Sequence, residues 1–240
     1  MTMLSSVGGH MYKARLIQNR KYYEQNRSAI PVSTDGLVCY HPLDELIAFD
    51  YCGNTCTYPN AEIITAGGKK CIHKKSVATG SPEACYMTFD HLQPQNDYTI
   101  CVWCLNSANN TTAAAQYFRI GNSDYAYILL RPSYNGSRST GHLVWDYEAS
   151  ANIVSVRANK TVNNMTWFFL TGTRSGNVFT SYINAEQITQ KTLEFTNLPI
   201  AKAVVCGSNA VLQSCARCAF CYNRALTAEE IADVYRSTAI

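Results

Sequence analysis

The stretch C-A-R-C-A-F-C-Y-N-R-A-L-T-A-E-E-I-A-D-V-Y-R, at positions 215–236, joins a strand-like half to a well-marked helix start. Thr227 is a favourable N-cap residue, and Glu230 stands three positions later, where it completes a capping box. Ile231 and Val234 then give the helix an apolar face. Because so short a helix is unstable alone, it is expected to pack against a larger body.

The composition indicates a β-rich globular chain. Its 240 residues are enough to bury a core, 15% of them are charged against the usual figure of about 25%, and 11% are aromatic. No apolar run approaches the roughly 18 residues of a membrane span, and the first ten residues lack the apolar core of a signal peptide. We therefore expect a protein without a membrane span that is made in the cytoplasm.

Residues 1–35 are expected to form an arm outside the globular body. Residues 1–30 carry five Lys or Arg against Glu24 alone, a net charge of 5 − 1 = +4, and the remaining 210 residues sum to 3 − 4 = −1. A solvated tail and a docking arm for an acidic partner both fit this pattern. Nucleic acid binding is disfavoured, because no folded basic face or reading motif is present. The docking interpretation assigns contacts to Tyr12, Lys13, Arg15, Leu16, Arg20, Lys21 and Tyr23.

From residue 36 onward, short strand-like segments alternate with turns. Residues 98–106 are apolar on both alternating faces, and residues 167–173 and 178–183 flank R-S-G-N, which is turn chemistry for a hairpin. Many short strands with one terminal helix predict an all-β, two-sheet antiparallel sandwich over residues 36–240.

Four segments of this body carry a family resemblance: G-L-V-C-Y-H-P-L-D at 36–44, the strand Y-T-I-C-V-W ending at Trp103, W-F-F-L-T-G-T-R-S-G-N-V-F-T-S-Y-I-N at 167–184, and Y-N-R-A-L-T-A-E-E-I at 222–231. Over roughly residues 36–238 the chain resembles the laminin-G-like members of the concanavalin-A-like lectin/glucanase superfamily. The resemblance implies a jelly-roll sandwich of two curved antiparallel sheets with a short C-terminal helix.

Two positions depart from the family pattern. Arg217 stands where relatives carry an Asp, and Asn184-Ala185 replaces the usual Asn-Gly of a hairpin. A ligand or calcium role tied to that Asp is therefore not expected. No cofactor is predicted, and calcium is the one ion that the resemblance would bring.

Eleven cysteines, an odd number, leave the metal and redox state open. The motifs C-x-x-C at 101–104 and C-x-x-C-x-x-C at 215–221 have the spacing of zinc ligands. Residues three apart on a strand point to opposite faces, however, whereas zinc pairs usually occupy tight turns. We therefore favour reduced, buried core cysteines. The C-x-x-x-C loop at 52–56 is better placed for a disulfide or a weak metal site.

Glycoside hydrolysis needs two carboxyl groups that flank one bond. No predicted strand offers an alternating E-x-D or E-x-D-x-E run. Asp44, Glu45 and Asp50 fall in a loop, and Glu229, Glu230 and Asp233 belong to the helix and its cap. The chain is accordingly predicted not to be an enzyme.

A sugar site is suggested by aromatic and polar residues near one predicted strand. Trp145 and Tyr147 share a face of H-L-V-W-D-Y, and sugar sites stack aromatic rings on sugar faces. Arg131, Tyr134 and Asn135 belong to a neighbouring turn and complete the candidate ligand-binding set. The alternative is that the two aromatic residues pack in the core or at a subunit interface.

Together these features predict a non-enzymatic structural or recognition module. By analogy, the arm, the lectin-like body and the low charge fit a bacteriophage virion protein: a head or tail decoration, fibre or receptor-binding component. Such a protein would assemble in the host cytoplasm, attach to other virion structural proteins through residues 1–35, form a homo-oligomer and bind host surface glycans. The alternative is a carbohydrate-binding module or a glycoside hydrolase of the same superfamily.

Overall fold

The computed structural model describes residues 25, 30–75, 85–88, 97–105, 118–123, 126–133, 142–149, 152–158, 166–192, 202–205 and 215–239. For residues 85–87, 119–158 within these ranges and 202–205 it describes the course of the backbone. The seven predicted docking residues between positions 12 and 23 lie outside the described residues, as do Tyr134 and Asn135.

The described residues form fifteen strands, followed by a C-terminal helix. In chain order the strands are β1 Leu37–His41, β2 Thr55–Thr57, β3 Ala61–Ala66, β4 Lys69–Lys74, β5 Cys85–Thr88, β6 Tyr98–Leu105, β7 Phe118–Ser123, β8 Ala126–Ser133, β9 His142–Ala149, β10 Asn152–Ala158, β11 Trp167–Ser175, β12 Val178–Ile183, β13 Glu186–Thr192, β14 Lys202–Val205 and β15 Cys215–Tyr222; the helix, α1, is Ala228–Ser237.

The strands build two antiparallel sheets. An eight-stranded sheet has the order β13-β12-β11-β6-β15-β4-β3, with β1 also paired to β15. A seven-stranded sheet has the order β10-β9-β8-β7-β14-β5-β2. The two-sheet antiparallel sandwich with a short C-terminal helix is therefore confirmed.

Strand β6 lies near the centre of the eight-stranded sheet and is buried along its whole length. Ile100 and Val102 belong to the core between the sheets, together with Phe118 of the seven-stranded sheet. Cys101 and Trp103 alternate with them and belong to a second apolar cluster on the outer face of the eight-stranded sheet. Both faces of β6 are buried because that outer face is covered in turn.

Helix α1 covers this outer face and begins where the sequence predicts. The Thr227 hydroxyl accepts a hydrogen bond from the Glu230 N–H at 3.2 Å, and the Glu230 carboxylate accepts one from the Thr227 N–H at 2.8 Å, so the capping box is complete. Ile231 is fully buried beneath the helix. The indole N–H of Trp103 donates to the Thr238 hydroxyl at 2.9 Å and fixes the last turn.

Two backbone features contain non-glycine residues with a positive φ. The β12–β13 hairpin turns through Asn184 (φ 50°) and Ala185 (φ 63°), so an alanine occupies a left-handed position. Cys218 (φ 48°) forms a bulge in β15 between Arg217 and Phe220. The bulge lies where β15 changes one of its partners, from β4 to β1.

Candidate functional site

Three residues whose side chains are described show which face of the seven-stranded sheet is turned toward the core. Phe118 in β7 and Cys56 in β2 are buried in the core between the sheets. Thr88, in β5, is exposed. Residues directly opposed in adjacent strands lie on the same face. The register therefore assigns each remaining position of the sheet either to the core-facing set or to the set on the opposite face.

The core-facing set includes the two aromatic residues of the predicted sugar site. Trp145 pairs with Leu130, which pairs with Phe118, and Tyr147 pairs with Ile128. This register favours the packing interpretation left open above. The role of Trp145 and Tyr147 as ligand contacts stays a prediction.

The other set contains every Lys, Arg, Asp and Glu of the seven strands. It forms a surface that we call the polar face. Four positive and two negative residues give it a formal charge of 4 − 2 = +2. These six residues are Arg119, Arg131, Asp146, Glu148, Arg157 and Lys202.

Three rows of paired residues order these charges. Glu148 pairs with Tyr127, Tyr127 with Gly121, and Gly121 with Lys202. A second row joins Ser155, Asp146, Leu129 and Arg119. The third row joins Arg157, Val144 and Arg131, so Arg131 is the one predicted ligand contact that the register places on the polar face.

The expected pattern E-x-D leaves out the reverse order D-x-E, which strand β9 carries. Strand β9 runs to Ala149, two residues beyond the predicted end, and so contains Asp146 and Glu148 at positions i and i+2. Alternate residues of a strand lie on the same face, about 7 Å apart at Cα. The sequence carries this D-x-E pattern, and its second acid, Glu148, lies just beyond the end predicted for the strand.

The loop that leads into β2, the edge strand of this sheet, is held by a buried carboxylate. Asp50 is fully buried and accepts hydrogen bonds from the backbone N–H groups of Tyr40 (3.2 Å), Cys52 (2.9 Å) and Asn54 (2.7 Å), and from the Asn54 side-chain amide (2.9 Å). Burial raises the pKa of Asp50 to about 6, against the opposing effect of these hydrogen bonds. The carboxylate therefore fixes the loop at the cost of desolvation.

A buried histidine holds the start of the same loop. His41 accepts a hydrogen bond from the Leu43 N–H at Nδ1 (2.9 Å), so Nε2 carries the proton and donates to the Tyr58 hydroxyl. That hydroxyl donates to the Ile47 carbonyl at 2.7 Å. Burial lowers the pKa of His41 to about 3, which keeps the ring neutral.

A cavity of about 280 Å³ lies between residues 31–33 and α1. Arg224 makes a two-pronged ion pair with Glu230, at 2.9 and 2.6 Å, and a further ion pair with Asp35 at 3.1 Å. The hydrogen bonds from Arg224, with those from Thr227, hold the pKa of Glu230 at about 2. Since Arg224 and Glu230 already pair with each other, they mainly fasten the helix. The lining residues are Pro31, Val32, Ser33, Tyr222, Arg224, Leu226, Glu230, Asp233, Val234 and Ser237.

The predicted burial of the cysteines is confirmed. Nine cysteines of the described residues are free thiols, and all but Cys52 are buried. Cys104 lies in the core between the sheets and Cys101 in the outer cluster, as expected for positions three apart on a strand. Burial raises the pKa of the Cys101 thiol to about 12. Within the described part of the chain, no group of three or more His, Cys, Asp or Glu is arranged to hold a metal ion.

Arg217, the departure from the family pattern, ties β15 to two neighbours. Its guanidinium donates to the Lys70 carbonyl at 3.0 Å and lies 3.6 Å from the Asp44 carboxylate. The guanidinium therefore fixes β15 to β4 and to the loop that follows β1.

Solved structures share this fold at low sequence identity. The binding domain of Paraclostridial Mosquitocidal Protein 1 is 17% identical with a TM-score of 0.64, over 84% of this chain and 52% of that one. Domain 4 of AbnA, an extracellular arabinanase from Geobacillus stearothermophilus solved with arabinotriose, is 16% identical with a TM-score of 0.64, over 83% of this chain and 98% of that one. A structure of botulinum neurotoxin type C is 11% identical with a TM-score of 0.64, over 85% of this chain and 52% of that one. Cell entry of that toxin is dependent upon interaction with two ganglioside molecules.

The chain spans about half the length of the two toxin structures, and at these identities the likeness shows the fold alone. No curated protein matches the chain. Among the described helices, none is long and apolar enough to cross a membrane.

One family model matches the sequence directly. It describes the concanavalin A-like lectin/glucanases superfamily (Laminin_G_3) and covers residues 80–232, more than half of the chain. The matched region includes β6, β11 and β15 at the centre of the eight-stranded sheet and most of the strands that carry the polar face. Sheet order, capped terminal helix and sequence match agree: the chain belongs to the concanavalin A-like lectin/glucanases superfamily.

Proposed function

We propose that this chain is a non-catalytic carbohydrate-binding module whose ligand lies on the polar face. The observation that carries the proposal is the segregation of charge: all six charged residues of the seven-stranded sheet fall on one face. A sheet that only needed to be soluble would tolerate this pattern as well. The pattern becomes a binding hypothesis through the fold, which is shared with a domain solved with arabinotriose and with a ganglioside-dependent toxin.

The polar face also offers the residue types that sugars require. Sugar hydroxyls bind to carboxylates and guanidinium groups, and sugar rings stack on aromatic residues. Tyr127 lies between Gly121 and Glu148 in one row, and Gly121 places no side chain beside it. An aromatic position next to an open position and an acid is a suitable platform for one sugar unit.

Binding of the full chain to a glycan array tests this function. The variant Tyr127→Ala is expected to lose at least tenfold in affinity for each glycan bound, in line with a stacked aromatic contact. Lys191→Gln, at an exposed position of β13 in the other sheet, serves as the control and should bind normally. Absence of binding to every glycan, or normal binding by the Tyr127 variant, would contradict the proposal.

Glycoside hydrolysis is the second candidate, and Asp146 with Glu148 is the observation that favours it. Two carboxyl groups on one face of a strand are the minimum that such chemistry needs. Release of reducing sugar from polysaccharides by the wild type, abolished in Asp146→Asn and Glu148→Gln, would establish an enzyme. Binding without release would leave the module non-catalytic.

For the setting of the module, we propose a virion protein of a bacteriophage, assembled in the host cytoplasm as a homo-oligomer and attached to other virion proteins by residues 1–35. The described end of the arm packs on the body, where Ile30 is buried in the outer cluster. The Tyr222 hydroxyl also donates to the Ser33 carbonyl at 3.4 Å.

Deletion of residues 1–29 keeps these contacts and tests the attachment. The truncated chain should fold and bind glycan but fail to assemble onto the particle. Normal assembly of the truncated chain would rule out the docking role of the arm.

A further inference from the structure

Cys39 in β1 and Cys221 in β15 are directly opposed in adjacent antiparallel strands. A bulge sets this register, because β1 carries one more residue than β15 between the pairs Leu37 with Tyr222 and Cys39 with Cys221. Among the described strands, this is the one place where the register pairs a cysteine with another cysteine. Directly opposed residues lie side by side on one face of a sheet, so the two thiols are neighbours.

The spacing of this pair suits a disulfide bond. Directly opposed residues of antiparallel strands have Cα atoms about 4.5 to 5.5 Å apart, depending on whether they exchange hydrogen bonds. A disulfide needs Cα atoms about 4.4 to 6.8 Å apart and side chains that point the same way. Both side chains point into the core between the sheets, where Cys39 and Cys221 belong to one apolar cluster. The pair therefore meets both conditions.

Other cysteines of the same cluster are placed differently. Cys56 lies in β2 of the seven-stranded sheet. Facing sheets pack about 10 Å apart, which is beyond the roughly 7 Å that a disulfide can bridge between Cα atoms. Cys104, in β6, is opposed by Phe168 and Ala216. Cys221 is thus the partner that the fold provides for Cys39.

Burial determines when the two thiols can react. Cys39 is fully buried, and Cys221 is 1% exposed. Burial raises the pKa of both thiols, and the nearby Asp50 carboxylate raises it further. The thiolate is the form that attacks a disulfide, so the folded chain both shields this pair and keeps it protonated. Reaction with an external oxidant is therefore expected before the sandwich closes.

We propose that Cys39 and Cys221 form a cross-strand disulfide by exchange with a small-molecule disulfide, such as oxidised glutathione, when the chain folds in an oxidising medium. One thiolate attacks oxidised glutathione, which gives a mixed disulfide and one glutathione thiolate. The second thiolate attacks the mixed disulfide, which gives the Cys39–Cys221 bond and a second glutathione thiolate. The cysteine pair loses two electrons to the glutathione disulfide, and its two protons pass through water to the two glutathione molecules released.

Production of the full chain in two bacterial hosts, one with a reducing and one with an oxidising cytoplasm, tests this bond. Thiols are blocked with N-ethylmaleimide in denaturant, and the chain is digested with chymotrypsin without reduction. Cleavage after Tyr40 separates Cys39 from the cysteines that follow it, and cleavage after Phe220 separates Cys221 from Cys218. Mass spectrometry should find the two peptides linked from the oxidising host and alkylated from the reducing host. Alkylated peptides from both hosts, or a link of either cysteine to a different one, would overturn the inference.

Thermal unfolding measures the bond independently. A link between positions 39 and 221 closes most of the chain into one loop and so restricts the unfolded state. The oxidised wild type should melt about 5 °C or more above the reduced wild type. Cys39→Ala and Cys221→Ala should each lose this difference, whereas Cys104→Ala, at a buried cysteine of the same cluster, should keep it. Each variant is compared with itself between the two hosts, so the loss of packing cancels. A difference that persists in the first two variants would refute the bond.

Exposure of the folded, reduced chain to oxidised glutathione tests the role of burial. Both thiols should stay unmodified in the native chain, while the same reagent present during refolding from denaturant should produce the link. Equally fast formation of the link in the native chain would contradict the assignment of this reaction to the folding step.

Discussion

Stability between pH 7 and pH 4 should depend on Asp50 in a direction opposite to that of most carboxylates. Its pKa is raised from an ordinary 3.8 to about 6 in the folded chain by burial. Protonation is then easier in the folded than in the unfolded chain, so this residue adds stability as the pH falls and loses it as the pH rises through 6. A difference of about two pKa units corresponds to about 3 kcal/mol, of which about 2.4 kcal/mol appears between pH 7 and pH 4.

The perturbation that isolates this effect is Asp50→Asn. The amide cannot titrate, and its NH2 group leaves two of the four N–H donors without an acceptor, so the variant is less stable than the wild type at both pH values. The wild-type advantage in free energy of unfolding should grow by about 2 kcal/mol on going from pH 7 to pH 4. His41, whose pKa of about 3 makes it lose stability on acidification, contributes equally to both proteins and cancels in the difference.

Urea denaturation followed by tryptophan fluorescence at pH 7, 6, 5 and 4 measures this difference. Glu45→Gln makes the same change of charge at an exposed position of the same loop and serves as the control. Wild-type and Asp50→Asn curves that stay parallel within about 0.5 kcal/mol would show that burial does not dominate the environment of this carboxylate.

Three further substitutions test local features by their effect on the free energy of unfolding. Thr227→Ala should cost about 1 kcal/mol through loss of the N-cap, whereas Thr227→Ser keeps the hydroxyl; equal loss in both would exclude the cap as the cause. Gly67→Ala should cost at least about 2 kcal/mol, because its Cβ would lie 2.7 Å from the Trp167 indole nitrogen, while Gly68→Ala, with nothing within 4 Å, should cost only about 1 kcal/mol for its positive φ. Ala185→Gly should add about 0.5 to 1 kcal/mol, since glycine suits a φ of 63°; a loss would mean that the alanine methyl packs favourably.

Features that depend on neighbours in sequence could be predicted, and the helix start is the clearest case. The cap needs only Thr227 and a Glu three residues later, so its geometry follows from four consecutive positions. The burial of Cys101 and Cys104 followed from the alternation of a strand. By contrast, the β3–β4 hairpin was not predicted, although Gly67-Gly68 supplied its turn, because its strands carry charged residues that mask the apolar pattern.

The candidate site depended on contacts between distant residues and could not be read from one strand. The sequence gives no reason to separate Trp145 from Arg131 as ligand contacts. The register separates them, because Trp145 pairs with Leu130, which pairs with the buried Phe118, and so lies on the core-facing side of the sheet. The Asp50 hydrogen bonds reach Tyr40, ten residues away, so they depend on the fold as well. The local signal for the Asp50 hydrogen bonds is Gly53-Asn54 after the acid, which is turn chemistry.

The positions at which the described chain enters and leaves the sandwich have a consequence for how the protein is displayed. Ile30 enters through the outer cluster of the eight-stranded sheet, and Thr238 closes the helix over the same cluster. The polar face belongs to the seven-stranded sheet and lies on the opposite side of the sandwich from the outer cluster. The two sheets between these surfaces pack about 10 Å apart. Ile30 and Thr238 therefore both lie on the side of the sandwich opposite to the polar face. A partner that contacted the module at this outer cluster would leave the polar face accessible to a ligand.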